Sequence, residues 1–325
     1  MSKINHRAAI KRYYLYMLQL TFLKLDVNNK HKSRNIRKFL MHDNITVVDI
    51  GSGSMKASVF ACTQDSVAHL GGISRGFRLC SRMGANISDN KIKVTTGFFE
   101  EVLALAREHN STKIIAVATQ AARKAANFSR LQKKILKKTG INLHIISGTE
   151  EATLTAKSAR HLTELEKFIS FDIGCGSVEI AKFDKILQNT WSLPISTLDL
   201  AKVHNIEAAQ ATIKNVLNTL PAHTRNMLEY ELIGSGGTLK VACLLINGKT
   251  RNFITCDEIQ NLFNILKDKT KEERVALGVP KNRADILPFG LLIILQIMQH
   301  MGKDKVFLTS GSLRASLALE YFKMI

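Results

Sequence analysis

The sequence contains few residues that break or crosslink a chain: four prolines and five cysteines among 325 residues. Because there is also no tract rich in Ser, Gly and Pro, we do not expect a flexible linker, and any two domains should pack closely. The cysteines are odd in number and show no CxxC spacing. This argues against a disulfide framework or a zinc site and favours a reducing compartment, the cytoplasm.

Long apolar runs are also missing. The longest, from Ile286 to Met298, is interrupted by Pro288, Gly290 and Gln296. It is too short to span a bilayer, so we expect a buried helix there and no membrane span. The first 40 residues show neither the apolar core nor the small-residue cleavage site of a secretory signal.

Acidic residues are scarce, and the formal net charge is +19. Residues 1–40 hold ten basic residues and one acid, a net charge of +9, which leaves +10 for the other 285 residues. A basic body suits a polyanion such as nucleic acid, an anionic membrane or polyphosphate, but charge alone names no partner. We expect residues 1–43 to be a disordered extension, with a basic helix on a membrane surface as the alternative.

One motif occurs twice. The segment Val47 to Ser54 (VVDIGSGS) returns 123 residues later as Ser170 to Ser177 (SFDIGCGS). In both copies β-prone residues lead into an aspartate and a Gly-x-Gly-Ser turn, and a second β-prone stretch follows, which is the pattern of a hairpin. The spacing is too long for a solenoid repeat and indicates a duplicated domain.

Strand and helix patterns alternate between and after the two copies, which favours an α/β fold. The basic helical stretch from Gln120 to Lys138 should break near Asn127. A glycine loop, Gly234 to Thr238, leads from a predicted strand into a helix starting at Leu239, and a last helix is predicted from Leu313 to Phe322.

The glycine turns have the composition of phosphate-binding loops. Glycine permits a positive φ and leaves backbone N–H groups open to a phosphate, and Ser52, Ser54 and Ser177 could add hydroxyl donors. Asp49 and Asp172 end their strands where a carboxylate could hold Mg²⁺. One turn alone would be weak evidence, since ordinary hairpins also use glycine.

Paired Asp-Ile-Gly-x-Gly-Ser hairpins with a later Gly-Gly-Thr loop resemble the superfamily of actin, Hsp70 chaperones and sugar kinases. Three further stretches resemble one family within it, the exopolyphosphatase / guanosine-pentaphosphate phosphohydrolases. These stretches are Ala118 to Asn127 (ATQAARKAAN), Ile145 to Ala152 (IISGTEEA) and Asp172 to Glu179 (DIGCGSVE). The resemblance covers Asn44 to about Tyr321.

The resemblance implies an α/β fold with two related domains of the actin-like (ribonuclease H-like) type and an active site in the cleft between them. Domain I would span residues 44–150 and domain II residues 151–312. The last helix, at about 313–325, would pack back on domain I. The cofactor would be Mg²⁺ and the substrate inorganic polyphosphate or pppGpp, with no nucleic-acid partner; a homodimer is left open.

The resemblance also implies individual roles. Glu151 matches the general base that activates the attacking water, and Arg123 matches a residue that contacts substrate phosphate. Metal and water would be organised by three acids, Asp49, Asp172 and Glu179. Further phosphate contacts would come from the glycine loops: Ser52, Ser54, Gly174, Gly176, Ser177, Gly236, Gly237 and Thr238.

Simpler interpretations stand beside these. Glu150 and Glu151 could only complement a helix dipole, and Arg123 could be one charge of a solvated face. Gly53 lies where the family often has asparagine, and both Cys175 and Ser196 lie where it usually has glycine, so the phosphate channel could be narrowed.

Two other functions remain open: an ATP-dependent kinase, and a non-catalytic sensor that binds polyphosphate or (p)ppGpp.

Overall fold

The computed structural model describes residues 43–63, 66–80, 85–203, 205–247 and 251–325. The predicted extension, residues 1–43, therefore lies outside the described residues except for Asp43. Among the helices of the described residues, none is long and apolar enough to cross a membrane.

The first sheet has five strands in the order β3-β2-β1-β4-β5. The strands are β1 (Asn44–Ile50), β2 (Ser54–Cys62), β3 (Val67–Gly76), β4 (Ser111–Ala118) and β5 (Leu143–Ile145). Three helices cover one face of this sheet: α1 (Asp89–Glu108), α2 (Gln120–Lys124) and α3 (Phe128–Thr139). Their apolar residues form one core with the sheet, centred on Phe98, Phe99 and Leu131.

The second sheet has six strands in the order β10-β11-β9-β6-β7-β8. They are β6 (Lys167–Ile173), β7 (Val178–Asp184), β8 (Ile186–Leu193), β9 (Glu231–Ser235), β10 (Phe253–Thr255) and β11 (Lys305–Leu308). Between the two sheets runs α4 (Gly148–Thr163), and the second half then adds α5 (Thr197–Val203), α6 (Ile206–Leu217), α7 (Gly237–Asn247), α8 (Cys256–Leu266), α9 (Lys271–Ala276) and α10 (Leu287–Met301). The apolar run noted in the sequence forms α10, which is almost wholly buried in the second core.

The two sheets repeat one arrangement. β1 pairs antiparallel with β2 and parallel with β4; β6 pairs in the same way with β7 and β9. The register is also repeated, since Asp49 faces Lys56 and Asp172 faces Glu179 on the neighbouring strand. This confirms the predicted α/β fold of two related halves of the actin-like type.

The final helix, α11 (Leu313–Tyr321), returns to the first sheet. Its Leu317 and Leu319 share a buried cluster with Ile45 and Val47 of β1 and with Leu154 of α4. Because α4 is continuous from residue 148, the boundary that we placed between residues 150 and 151 falls inside a helix.

Candidate active site

The two Gly-x-Gly-Ser turns have the same internal geometry. Gly51 donates its N–H to the Ser54 carbonyl at 2.9 Å, and Gly174 donates to the Ser177 carbonyl at 3.1 Å. Each turn therefore brings its strand back on itself within four residues. The sequence repeat thus produces two equivalent loops at the ends of β1 and β6.

The two turns meet each other across the cleft. A Cβ atom added to Gly53 would lie less than 3.0 Å from the Cys175 sulfur, and one added to Gly176 would lie equally close to the Ser52 hydroxyl. Glycine is favoured at both positions because a side chain from the facing turn fills the space that an added side chain would need.

Three acidic side chains converge beside the second turn. Glu151 lies in the first turn of α4, Asp172 near the end of β6, and Glu179 opposite it on β7. One oxygen from each lies within 4.8 Å of the others. Glu151 is 8% exposed and Glu179 is 1% exposed, so the negative charges gather where water stabilises them poorly.

Burial changes the proton affinity of this acid group. It raises the pKa of Glu151 well above its usual range, and the Glu179 and Asp172 carboxylates add to the effect. Burial likewise raises the pKa of Glu179 to about 7, against a hydrogen bond from Ser177 that lowers it. It also raises the pKa of Asp172, against a hydrogen bond from Ser235. A cation in this group would favour all three charged forms.

Arg123 is fixed next to the acid group. Its Nε donates to Gln120 Oε1 and its Nη1 to the Ile146 carbonyl, each at 2.8 Å. Nη1 also lies 3.4 Å from Glu151 Oε2, and Nη2 lies 4.0 Å from Glu179 Oε1.

Two buried atoms in this cluster have no hydrogen-bond partner among the described residues: Nη2 of Arg123 and Oε2 of Glu179. An unsatisfied donor and an unsatisfied acceptor so close together indicate a site built for a bound group.

Asp49 lies in a different environment from the other acids. Arg314 of α11 reaches it, with Nη1 3.5 Å from Asp49 Oδ2, while its Nε donates to the Ser58 hydroxyl at 3.0 Å. We predicted a metal set of Asp49, Asp172 and Glu179, but the structure groups Glu151 with Asp172 and Glu179 instead. Asp49 is the one predicted ligand that lies outside this group.

Basic side chains also lie close to Asp172. Burial lowers the pKa of Lys240 to about 8, and the nearby Lys56 and Arg314 lower it further. Burial and Arg314 also lower the pKa of Lys56. Arg283 lies against Gly237, where an added Cβ would meet its guanidinium. Lys240 was not predicted from the sequence, because a lysine in the first turns of a helix does not by itself indicate a functional role.

The third glycine loop joins β9 to α7. Gly236 has φ +99°, a conformation that favours glycine. Ser235 donates its hydroxyl to Asp172 Oδ1, and Thr238 packs against Gly290 of α10. The predicted phosphate loop, Gly236-Gly237-Thr238, thus lies next to the acid group and at the N-terminus of an 11-residue helix.

Neighbouring residues hold the acids in place, and no sequence motif indicates them. Ser192 on β8 faces Glu179 in the strand register and donates to its Oε1 at 3.0 Å. Ser192 also fills the space beside Gly148, where an added Cβ would clash with its hydroxyl. Such a residue becomes visible only when the pairing of β7 with β8 is known.

The adjacent glutamates differ completely. Glu150 is exposed and forms a capping box: it accepts from the Ser147 N–H at 2.7 Å, while Ser147 Oγ accepts from the Glu150 N–H. These bonds lower the pKa of Glu150. The simple helix-start interpretation therefore fits Glu150, whereas Glu151 is buried beside Arg123.

The fold pairs two related α/β halves, and the site brings three acids, an arginine and the glycine turns together. A sequence model of the Ppx/GppA phosphatase family matches residues 75–323, and the chain belongs to that family. This confirms the resemblance seen in the motifs.

Solved structures agree on the fold. The Ppx/GppA enzyme of Aquifex aeolicus is 19% identical, with a TM-score of 0.74 over 86% of this chain and 99% of that one. An exopolyphosphatase from Cytophaga hutchinsonii ATCC 33406 is 21% identical, with a TM-score of 0.77 over 87% and 98%. The structure of an exopolyphosphatase-like protein is 18% identical, with a TM-score of 0.75 over 86% and 99%.

Proposed function

We propose that this protein removes terminal phosphate from inorganic polyphosphate, pppGpp or both, by Mg²⁺-assisted attack of water. The observation that carries the proposal is the buried Glu151 carboxylate beside Asp172, Glu179 and Arg123, next to paired glycine turns. Phosphoryl transfer needs charge neutralisation and in-line placement of the nucleophile more than covalent chemistry; Arg123 and a bound cation would supply the first, and Glu151 would position the water.

Glu151 would act as the general base. A carboxylate with a raised pKa accepts a proton from water more readily than an ordinary one. The water oxygen attacks the terminal phosphorus, the bond from that phosphorus to the bridging oxygen breaks, and Glu151 takes the proton. Arg123 would orient the terminal phosphate through Nη2, which has no hydrogen-bond partner among the described residues.

Asp172 and Glu179 would hold the metal ion. An oxygen-only donor set with the unpaired Oε2 of Glu179 fits Mg²⁺, a hard cation that prefers oxygen ligands. When bound, the ion would neutralise phosphate charge and favour deprotonation of water. In this proposal Asp49 acts differently, by holding Arg314 in place.

The leaving phosphates would face the basic residues of the cleft. Lys56, Lys240 and Arg283 lie close to one another and to Asp172. Hydroxyls and N–H groups of the glycine turns (Ser52, Ser54, Gly174, Gly176, Ser177, Gly236, Gly237 and Thr238) would complete the phosphate contacts. A cation-rich lining suits a substrate that carries one charge or more on every phosphate.

The test is phosphate release from polyphosphate, pppGpp and ATP, side by side, with and without Mg²⁺. We expect Mg²⁺-dependent release from polyphosphate or pppGpp with no acceptor added, and little from ATP. Release that requires an added acceptor would support a kinase instead. Tight binding with no turnover would support the sensor. No disulfide joins cysteines of the described residues, which is in keeping with the cytoplasmic location that we also propose.

A further inference from the structure

Helix α3 carries a row of lysines on its outer surface. Its buried side, Phe128, Leu131 and Ile135, faces the first core. Four exposed lysines, three on α3 and one at the end of α2, form what we call the basic stripe: Lys124, Lys133, Lys134 and Lys137.

Acidic side chains do not neutralise the basic stripe. The two other basic residues that flank it are paired, Arg130 with Asp89 at 2.6 Å and Lys138 with Glu100 at 2.8 Å. By contrast, none of the four stripe lysines forms an ion pair with a described residue. Of the acids of the neighbouring α1, Asp89 and Glu100 pair with these two residues, and Glu101 pairs with Arg75 of β3.

This arrangement is unfavourable for an isolated helix. Lys133 and Lys137 are four residues apart and Lys134 and Lys137 are three apart, so their like charges repel. The dipole at the end of α3 favours Lys137, but it does not favour the lysines nearer the middle of the helix. An external polyanion would relieve the repulsion.

The basic stripe begins at the cleft. β4 and β5 are parallel, so α2 and α3 must start near the end of β4 and return to the start of β5. The end of β4 is where Arg123 contacts the Ile146 carbonyl, and Lys124 is its neighbour in sequence. From there α3 runs away from the cleft, and about 14 Å of helix separates Phe128 from Lys137.

The corner between α2 and α3 is rigid. Asn127 accepts from the Ile87 N–H and donates to the Ile87 carbonyl, each at 2.9 Å. The direction of α3 relative to Arg123 is therefore fixed, and the stripe is a preformed surface.

We propose that the basic stripe binds the distal phosphates of a long polyphosphate chain whose terminal phosphate lies in the cleft; this rests on the function proposed above. The charge, the linear shape and the start beside Arg123 all match a linear polyanion. Each added phosphate contact releases counterions and strengthens binding. A short substrate such as tripolyphosphate would fill the cleft without reaching the stripe.

The test compares a triple variant, K133Q/K134Q/K137Q, with a matched control that loses three exposed lysines from the second half, K185Q/K214Q/K271Q. Both lose the same charge, so a general electrostatic effect would appear in both. Thermal unfolding of each variant should stay close to that of the wild type, because these side chains are on the surface.

For the triple variant we expect KM for long polyphosphate to rise roughly tenfold and its dependence on KCl to flatten. KM and kcat for tripolyphosphate should stay within about twofold of the wild type, and the control should behave as the wild type does. An unchanged KM for long polyphosphate, with tripolyphosphate hydrolysed normally, would contradict binding at the basic stripe. It would not contradict the proposed function.

Two other outcomes are decisive. If the wild type releases phosphate from no polyphosphate of any length, the proposed function fails, and the stripe fails with it. If the triple variant loses affinity for RNA of equal phosphate content but keeps the wild-type affinity for long polyphosphate, the stripe is a nucleic-acid surface and the inference is wrong.

Discussion

The sulfur of Cys175 occupies the space beside Gly53, where an added Cβ would lie less than 3.0 Å from it. The family resemblance implies that asparagine is common at the first of these positions and that glycine is usual at the second. The Cys175 side chain of the second turn thus fills the space that a side chain at position 53 of the first turn would occupy. Ser196, a third departure, donates its hydroxyl to the Cys175 carbonyl at 3.0 Å and so supports the same turn.

This contact predicts coupling between the two positions. Gly53→Ala should destabilise the wild type by about 1–3 kcal/mol, because the new methyl group overlaps a packed sulfur. In a Cys175→Gly background the same change should be nearly neutral, since Gly53 does not have a positive φ. A double-mutant cycle in urea measures the coupling. Additive effects of the two changes would show that the turns do not touch in solution.

Glu151→Gln should lower kcat by about 10²–10⁴ while leaving substrate binding nearly intact, because the amide keeps the size of the side chain but cannot accept the proton. Glu150→Gln is the control, since Glu150 caps α4 and is exposed. It should cost a little stability and little rate. If Glu150 were essential and Glu151 dispensable, the assignment of the base would be wrong.

In the absence of metal, folding stability should fall as the pH rises and the three carboxyl groups of the acid group lose their protons. The pKa of Glu179 lies near 7 in the folded protein, above its ordinary value of 4.5, so the unfolded chain loses its proton first. Folding stability should therefore decline between about pH 4.5 and pH 7, by on the order of 1–3 kcal/mol. Glu151 and Asp172 shift in the same direction.

Mg²⁺ should reverse this loss, because metal and protons compete for the same oxygens. We expect the rise in Tm on adding Mg²⁺ to be larger at pH 7.5 than at pH 5.5, and Glu179→Gln to reduce the difference. Calorimetric or fluorescence melting measures it. An equal rise at both pH values would argue against a metal in the acid group.

Asp172→Asn and Asp49→Asn should differ in their effect on metal. Asp172 belongs to the acid group, whereas Asp49 is paired with Arg314. The Mg²⁺ concentration for half-maximal activity should rise about 10–100-fold in Asp172→Asn. In Asp49→Asn it should change much less, although kcat falls. Equal shifts in the two variants would place Asp49 among the ligands after all.

The sequence predicted the parts of the fold that repeat a pattern. The two hairpins, the break in the helix near Asn127 and the buried helix at the apolar run all appear. The strands β3 and β8 and the short helix α5 were missed. β3 contains adjacent glycines, and β8 has mostly polar or exposed residues, so each forms because a neighbouring strand offers a partner rather than because of its own pattern.

The residues of the candidate site likewise fall into those that the sequence predicted and those that it did not. Acids and glycine turns were found because they occur in repeated or recognisable motifs. The partners that fix them were not found, because Ser192, Ser235 and Arg314 reach the acids from elements far apart in sequence. The environment of Asp49 could not be predicted for the same reason, since only the return of α11 to the first sheet brings Arg314 next to it.

The central claim is that water activated by Glu151 attacks the terminal phosphate. The most direct test is hydrolysis of polyphosphate in water enriched in oxygen-18, with Mg²⁺ and no other acceptor, followed by mass analysis of the phosphate released. Our account predicts one solvent oxygen in each phosphate released by the wild type, and loss of that product in Glu151→Gln. Phosphate without solvent oxygen, or no release until an acceptor is supplied, would contradict it.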